Sequence, residues 1–299
     1  MRIIMNATQS DSSGDLLEPA RVLVFDSGIG GLTVRQELTA QAPRLCIDYA
    51  ADTGFFPYGD KGDDELRARL PLVARALVEA AEPDIFVIAC NTASTLALPE
   101  VRAALDIPVV GTVPAIKPAA AISLTRTIGL LATPGTLARD YTANLIHQFA
   151  QGVRVVQQGS LELVRLAEAA AAGRMPPLED FRAAQAPLFE NEGGEAIDTV
   201  VLACTHFPLV RTQLEATAPR PMTYVDSGPA IARQTLKVLA GRDVPRHRVQ
   251  RGAMGWVTSS DGRAALAPTL SRYGLSETAS VAISAEAGTA AGAVQASGT

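Results

Sequence analysis

Two apolar runs that each stop at a cysteine constrain this chain more than any other feature. The first reads Val87-Ile88-Ala89-Cys90-Asn91-Thr92-Ala93-Ser94, and the second Val201-Leu202-Ala203-Cys204-Thr205-His206. In each, the thiol is the fourth residue of the run and polar side chains follow it. A short apolar run bounded by polar residues reads as a buried parallel strand, and in open α/β sheets ligands gather beyond the carboxyl ends of the strands. Both thiols are therefore expected where chemistry sits.

The signals around the two runs recur in the same order. Arg21 to Phe25 reads as a strand that opens into Asp26-Ser27-Gly28-Ile29-Gly30-Gly31, with helical composition from Leu32 to Thr39. A second strand, 45–51, leads into Asp52-Thr53-Gly54-Phe55-Phe56-Pro57-Tyr58-Gly59. A helix opening at Asp63 then carries Leu66, Leu70, Val73 and Leu77 on one face, and a helix from about Ser94 follows the Cys90 strand. The next unit starts with the strand Thr127 to Ala132, ends it in Thr133-Pro134-Gly135-Thr136, and closes with a strand from Thr199 to Cys204. Between them lie a strand at 153–158 and helices at Leu161 to Ala172 and Leu178 to Phe189. The expected fold class is α/β, with two pseudo-symmetric α/β domains, mainly parallel sheets and the active site in the interdomain cleft. One domain takes residues 20–115 plus 225–283 and the other 116–224. Residues 1–19 read as a disordered extension and 284–299, rich in Ala, Gly, Ser and Thr, as a flexible tail.

Composition narrows the function. A net charge of −5 with no basic patch argues against nucleic acid as a partner, because phosphate binding needs clustered Lys and Arg. No apolar run reaches the roughly 18 residues of a membrane span, and residues 1–19 lack the apolar core of a secretory signal. Cys46, Cys90 and Cys204 are an odd number without a CxxC pair, which suits free thiols in a reducing cytoplasm. Cys46, inside the strand Leu45-Cys46-Ile47, reads as a small buried hydrophobe. His147 and His247 read as surface or packing residues.

Two thiols facing each other across a cleft suit the inversion of a stereocentre. One base takes the Cα proton from one face and an acid returns a proton to the other. No lysine among Lys61, Lys117 and Lys237 sits in a motif that would hold pyridoxal phosphate, so a route without cofactor is expected. Charge stabilisation then falls on donors: Ser27, Asn91, Thr92, Thr205 and the amides of the glycine turn, which are expected to attract a small carboxylate. The Pro57-Tyr58-Gly59 turn is expected to aim a hydroxyl and amides inward. A free thiol titrates near ~8.5 and must be lowered to serve as base. His206 and the helices after both cysteines are expected to lower it, and Asp26 and Glu168 to position a proton or the substrate ammonium. No metal is expected, since two distant cysteines and one histidine lack the close spacing of zinc sites. A two-thiol redox or metal module without turnover, and a regulatory protein that keeps an inactive form of the same fold, are the readings from other classes.

Together the motifs resemble the glutamate racemases of the aspartate/glutamate racemase superfamily, over roughly residues 21 to 275. The resemblance rests on Phe25 to Gly31, Phe56-Pro57-Tyr58-Gly59, Cys90-Asn91-Thr92-Ala93-Ser94, Thr133-Pro134-Gly135-Thr136 and Cys204-Thr205-His206-Phe207-Pro208-Leu209. It implies a cofactor-free enzyme that interconverts L- and D-glutamate and supplies D-glutamate for peptidoglycan, commonly as a homodimer. It further implies that Cys90 deprotonates the D isomer and Cys204 the L isomer, supported by Asp26, His206 and Glu168. Asp26, Ser27, Pro57, Tyr58, Gly59, Asn91, Thr92, Thr133, Thr136, Thr205 and His206 become the substrate-binding set. Asp140 stands where related sequences often have Ser, and Ala51 where Gly is frequent. The extension resembles that of a branch activated by a cell-wall precursor. Aspartate or another acidic amino acid is the alternative substrate.

Overall fold

A computed structural model describes residues 20–241 and 251–283; the readings of residues 1–19, 284–299 and His247 lie outside the described residues. Among the described residues ten strands form two sheets: β1 (Arg21–Asp26), β2 (Cys46–Ala51), β3 (Ile85–Ile88), β4 (Val109–Gly111), β5 (Thr127–Ala132), β6 (Arg154–Gly159), β7 (Thr199–Leu202), β8 (Thr223–Asp226), β9 (Met254–Val257) and β10 (Glu277–Ser280). The first sheet has the order β10-β9-β2-β1-β3-β4 and the second β6-β5-β7-β8. Every pairing between them is parallel.

Within each sheet the strands of one unit lie in the same order: second, first, third, fourth. Thus β2-β1-β3-β4 matches β6-β5-β7-β8, and the two cysteine runs become β3 and β7, the third strand of each half. The sequence chooses this arrangement because β1, β3, β5 and β7 are apolar on both faces, and strands covered on both faces belong to parallel sheets. Alternate residues of β1 feed opposite layers. Leu23 and Phe25 pack with Leu66, Leu70 and Leu77, whereas Val22 and Val24 pack with Leu32, Leu38 and Ile231. The second sheet likewise carries an apolar layer on each face.

The C-terminal strands are secured to the first sheet by one buried carboxylate. Asp48 is fully buried and accepts from Arg21 Nη1 at 3.0 Å, Arg251 Nη2 at 2.6 Å, the Met254 amide at 2.9 Å and Trp256 Nε1 at 3.3 Å. A buried charge is tolerated only with such partners. Helix Gly228–Ala240 packs on helix Leu32–Gln41 of the first sheet, while β8, just before it, pairs in the second.

Two boundaries near the thiols differ from the sequence reading. The helix after Cys90 starts at Asn91, three residues before the expected Ser94, because Cys90 itself adopts the extended backbone of a cap residue. Strand β7 stops at Leu202, and Cys204 is followed by a single 3₁₀ turn, Phe207–Val210, before helix Arg211–Thr217. Cys204 therefore lacks a directly abutting α-helix.

Candidate active site

Both thiols arrive at the site by the same local device. Each lies two residues beyond the last residue of a third strand, Ile88 or Leu202, at the carboxyl edge of its sheet. Cys90 and Cys204 are free, buried thiols, and both line one cleft with Ser27, Phe56, Pro57, Tyr58, Gly59, Asn91, Thr92, Thr133, Thr205 and His206. Leu161 and Val164 complete the wall. The space left between them is about 20 Å³, room for about one water molecule, so the cleft is closed and must widen to admit a substrate.

Behind the cleft, two carboxylates organise the polar wall. Asp26 is fully buried and accepts from Thr205 Oγ1 at 2.7 Å, from the Gly28 amide at 3.0 Å and from Ser27 Oγ at 3.4 Å. Glu168 Oε1 lies 2.7 Å from His206 Nε2 and accepts from the Ile29 amide at 3.2 Å. His206 Nδ1 in turn lies 3.8 Å from Cys204 Sγ. The glycine turn thus hands the amides of Gly28 and Ile29 to the protein's own Asp26 and Glu168, and these two are spent before any small carboxylate arrives. Asp26 and Glu168 do not line the cleft; each bonds a residue that does, Thr205 and His206 respectively.

The electrostatics of the two thiols differ. Burial raises the Cys90 thiol to about 12, with the Asp26 charge adding to it. The Ala93 amide, on the first turn of the helix that Cys90 caps, pulls the other way but is outweighed. The expected lowering of this thiol by its helix is therefore overturned in the closed cleft, since desolvation of a fully buried anion costs more than one amide returns. On the Cys204 side, burial by itself would lower the His206 imidazole. The hydrogen bonds and negative charges of Cys204 and Glu168 win, and hold the ring well above its ordinary value. Burial likewise raises the Asp26 carboxyl, against the opposing pull of His206, the Gly28 amide and Thr205.

Hydroxyls and an amide finish the wall. Thr92, Thr133 and Thr136 form a cluster, with Oγ1–Oγ1 distances of 3.4, 3.4 and 3.0 Å. Thr136 is fully buried and supports the other two from behind. Asn91 Oδ1 is buried without a partner. Tyr58 lines the cleft, but its hydroxyl does not point inward as expected: it donates to Asp52 Oδ2 at 2.6 Å. Sequence reasoning missed Phe56, Leu161 and Val164 as lining residues, and Asp52 as the Tyr58 partner; only the Asp-x₅-Tyr spacing across a Pro-Gly loop offered a signal for the last. Cys46 is half-buried rather than buried, with Sγ 3.6 Å from the Arg251 carbonyl, and His147 is exposed. Among the described residues no group of three or more His, Cys, Asp or Glu is placed to hold a metal ion.

Two matched parallel half-units, each presenting a thiol beyond its third strand to one cleft, are the architecture of an acid–base isomerase. The chain belongs to the Asp/Glu/Hydantoin racemase family, whose model matches residues 33–235. Its relatives include the glutamate racemase of Sphingopyxis alaskensis, 46% identical over 226 residues that cover 76% of this chain and 84% of that one. The glutamate racemase of Klebsiella pneumoniae is 46% identical over 218 residues, 73% of this chain and 76% of that one. Among solved structures, Escherichia coli glutamate racemase in complex with L-glutamate and the activator UDP-MurNAc-Ala superposes with a TM-score of 0.83. It is 40% identical, over 89% of this chain and 99% of that one.

Proposed function

We propose that this chain interconverts L- and D-glutamate, with Cys90 and Cys204 as the two proton-transfer groups. The observation that carries the reading is the pair of free thiols lining one closed cleft from equivalent positions of two matched sheets. In the direction from L-glutamate, the Cys204 thiolate takes the Cα proton. The C–H electron pair passes into the α-carboxylate as an enediolate, and the Cys90 thiol donates its proton to the opposite face. The reverse reaction exchanges the two roles, so one thiol and one thiolate are present before and after each turnover.

The chemistry around each sulfur suits this division. A protonated His206, held by Glu168, stabilises a thiolate at Cys204. Cys90, a thiol in the closed cleft, starts as the acid. Asn91, Thr92 and Thr205, with the Tyr58 and Gly59 backbone, are the groups at hand for the two carboxylates, and donors already in place where charge develops are worth about 2.7 to 4 kcal/mol each in a transition state. Among the described residues no lysine lines the cleft, which supports a route without a pyridoxal phosphate Schiff base.

The expected domains, 20–115 plus 225–283 and 116–224, with the second carried on to Asp226 because β8 pairs wholly with β7, would give two lobes whose edges carry Asp26 and Cys90 on one side and Thr133 and Cys204 on the other. The reading extends to a homodimeric cytoplasmic enzyme that supplies D-glutamate to peptidoglycan and answers to a cell-wall precursor. The activator present in the E. coli structure supports that last element, and among the described residues no helix is long and apolar enough to cross a membrane. Circular dichroism of L-glutamate incubated with the pure protein tests the activity: the signal decays to zero as the racemate forms. An unchanged L-glutamate signal beside a decaying L-aspartate signal would replace the substrate.

A further inference from the structure

Tyr58 stands in the wall of the cleft, yet its hydroxyl is occupied from behind. The acceptor, Asp52, is fully buried and lies at the end of β2, where its amide bonds the Asp26 carbonyl at 3.1 Å. Four donors from three segments converge on this carboxylate. Tyr58 Oη lies 2.6 Å from Oδ2, and Arg69, from the middle of helix Asp63–Ala81, forks onto it with Nε to Oδ2 at 2.6 Å and Nη2 to Oδ1 at 2.7 Å. Thr258, just past β9, donates Oγ1 to Oδ1 at 2.5 Å and also accepts from the Gly54 amide at 2.9 Å. The Arg69 guanidinium is further seated over the Phe55 ring, 4.9 Å from its centre.

Every one of these bonds touches the loop between Asp52 and Gly59, whose residues 56–59 line the cleft. Such a loop has few apolar anchors of its own: Tyr58 alone is fully enclosed, while Phe55, Phe56, Pro57 and Gly59 are only partly buried. A bidentate arginine and three buried oxygens supply the rigidity that apolar packing does not. Burial together with the Asp52 charge holds the Tyr58 hydroxyl well above its ordinary value, so it stays a neutral donor.

We propose that Asp52, with Arg69 and Thr258, is a positioning residue for substrate binding, fixing Tyr58 and through it the Phe56–Gly59 wall, so that this loop meets glutamate through its backbone and ring rather than through the Tyr58 hydroxyl. The proposal rests on the glutamate racemase reading. It makes the C-terminal segment around Thr258, remote from the thiols in sequence, part of what sets substrate affinity.

The test is a steady-state comparison of wild type, Asp52→Asn, Tyr58→Phe, Thr258→Val and the double variant Asp52→Asn/Tyr58→Phe, with L- and D-glutamate. Asp52→Asn raises KM about tenfold in both directions, the loss expected from one charge-assisted hydrogen bond that holds a binding loop, and kcat stays within about twofold. Tyr58→Phe and Thr258→Val show the same KM signature at smaller size. The double variant is no worse than Asp52→Asn, because both changes remove one interaction. Asp52→Glu, which keeps the charge, recovers part of the KM. A fall in kcat at constant KM, or strictly additive Asp52 and Tyr58 effects, overturns the proposal, as does unchanged KM in folded Thr258→Val. If Asp52→Asn does not fold, the Tyr58→Phe and Thr258→Val arms decide. Wild type that leaves glutamate unracemised fails the underlying reading instead, and is told apart at once.

Discussion

The asymmetry between the two thiols is the residue-scale result. Cys90, raised to about 12 by burial, is protonated in the closed free enzyme at neutral pH. In Cys204→Ala the rate of Cys90 alkylation by iodoacetamide should keep rising with pH well beyond 9 and level only toward about 12, whereas a plateau near ~8.5, the ordinary thiol value, would mean that the sulfur is not desolvated. His206 is the counterpart on the other side. Its folded value lies well above the ordinary one, so it carries a proton through neutral pH, and the stability it adds is present at low pH and lost as pH rises through that folded value. Imidazole NMR signals should therefore titrate above the ordinary range, and Glu168→Gln should move the midpoint down while lowering kcat by about 10²-fold, the low end of what a positioned proton-transfer group contributes. An unmoved midpoint would remove Glu168 from the relay.

At the scale of elements, the glycine turn after β1 shows what a sequence conveys and what it withholds. Asp26-Ser27-Gly28-Ile29-Gly30-Gly31 is legible as a strand-to-helix turn beside a site, because glycines in that place allow close approach. What approaches is another matter. A Cβ on Gly28 would lie 2.6 Å from Glu168 Oε1, and one on Gly30 would lie 2.5 Å from Thr205 Oγ1 and 2.7 Å from the His206 amide. The turn docks against the opposite lobe's thiol segment rather than cradling a ligand anion. Gly30→Ala should cost about 1–3 kcal/mol by overpacking, read as a lower melting temperature, and should raise KM by holding the lobes apart; wild-type stability and kinetics would show that the turn has room to spare.

The same contrast explains which elements were legible. β1, β5 and the apolar face Leu66-Leu70-Val73-Leu77 follow from local periodicity. Thr258 reaching Asp52, 206 residues away, and Arg251 reaching Asp48, 203 residues away, depend on long-range folding that no local pattern encodes. The helix start at Asn91 was hidden because its cap residue is a cysteine, whose side chain makes no capping hydrogen bond. The pairing of Cys90 with Cys204 was legible only because the two half-units repeat; either run by itself describes a buried cysteine.

For the whole molecule, closure is the central property. A cleft with room for about one water, between lobes stitched by Asp26 to Thr205 and by Glu168 to Ile29, must part to bind glutamate and close again around it. In the proposed reaction, closing removes water from the two sulfurs that line the cleft and leaves one thiol to each face of Cα. Cys90→Ala and Cys204→Ala should each abolish racemisation in a folded protein, and full activity in either would refute the pairing.

The most direct measurement follows the Cα hydrogen itself. Racemisation of L-glutamate is run in D2O and stopped early, and the enantiomers are separated for mass analysis. With a separate sulfur on each face, the D-glutamate formed carries one solvent deuterium while the remaining L-glutamate keeps its protium. Deuterium appearing equally early in the remaining L-glutamate, or D-glutamate formed without it, would contradict a proton removed by one thiol and returned by the other.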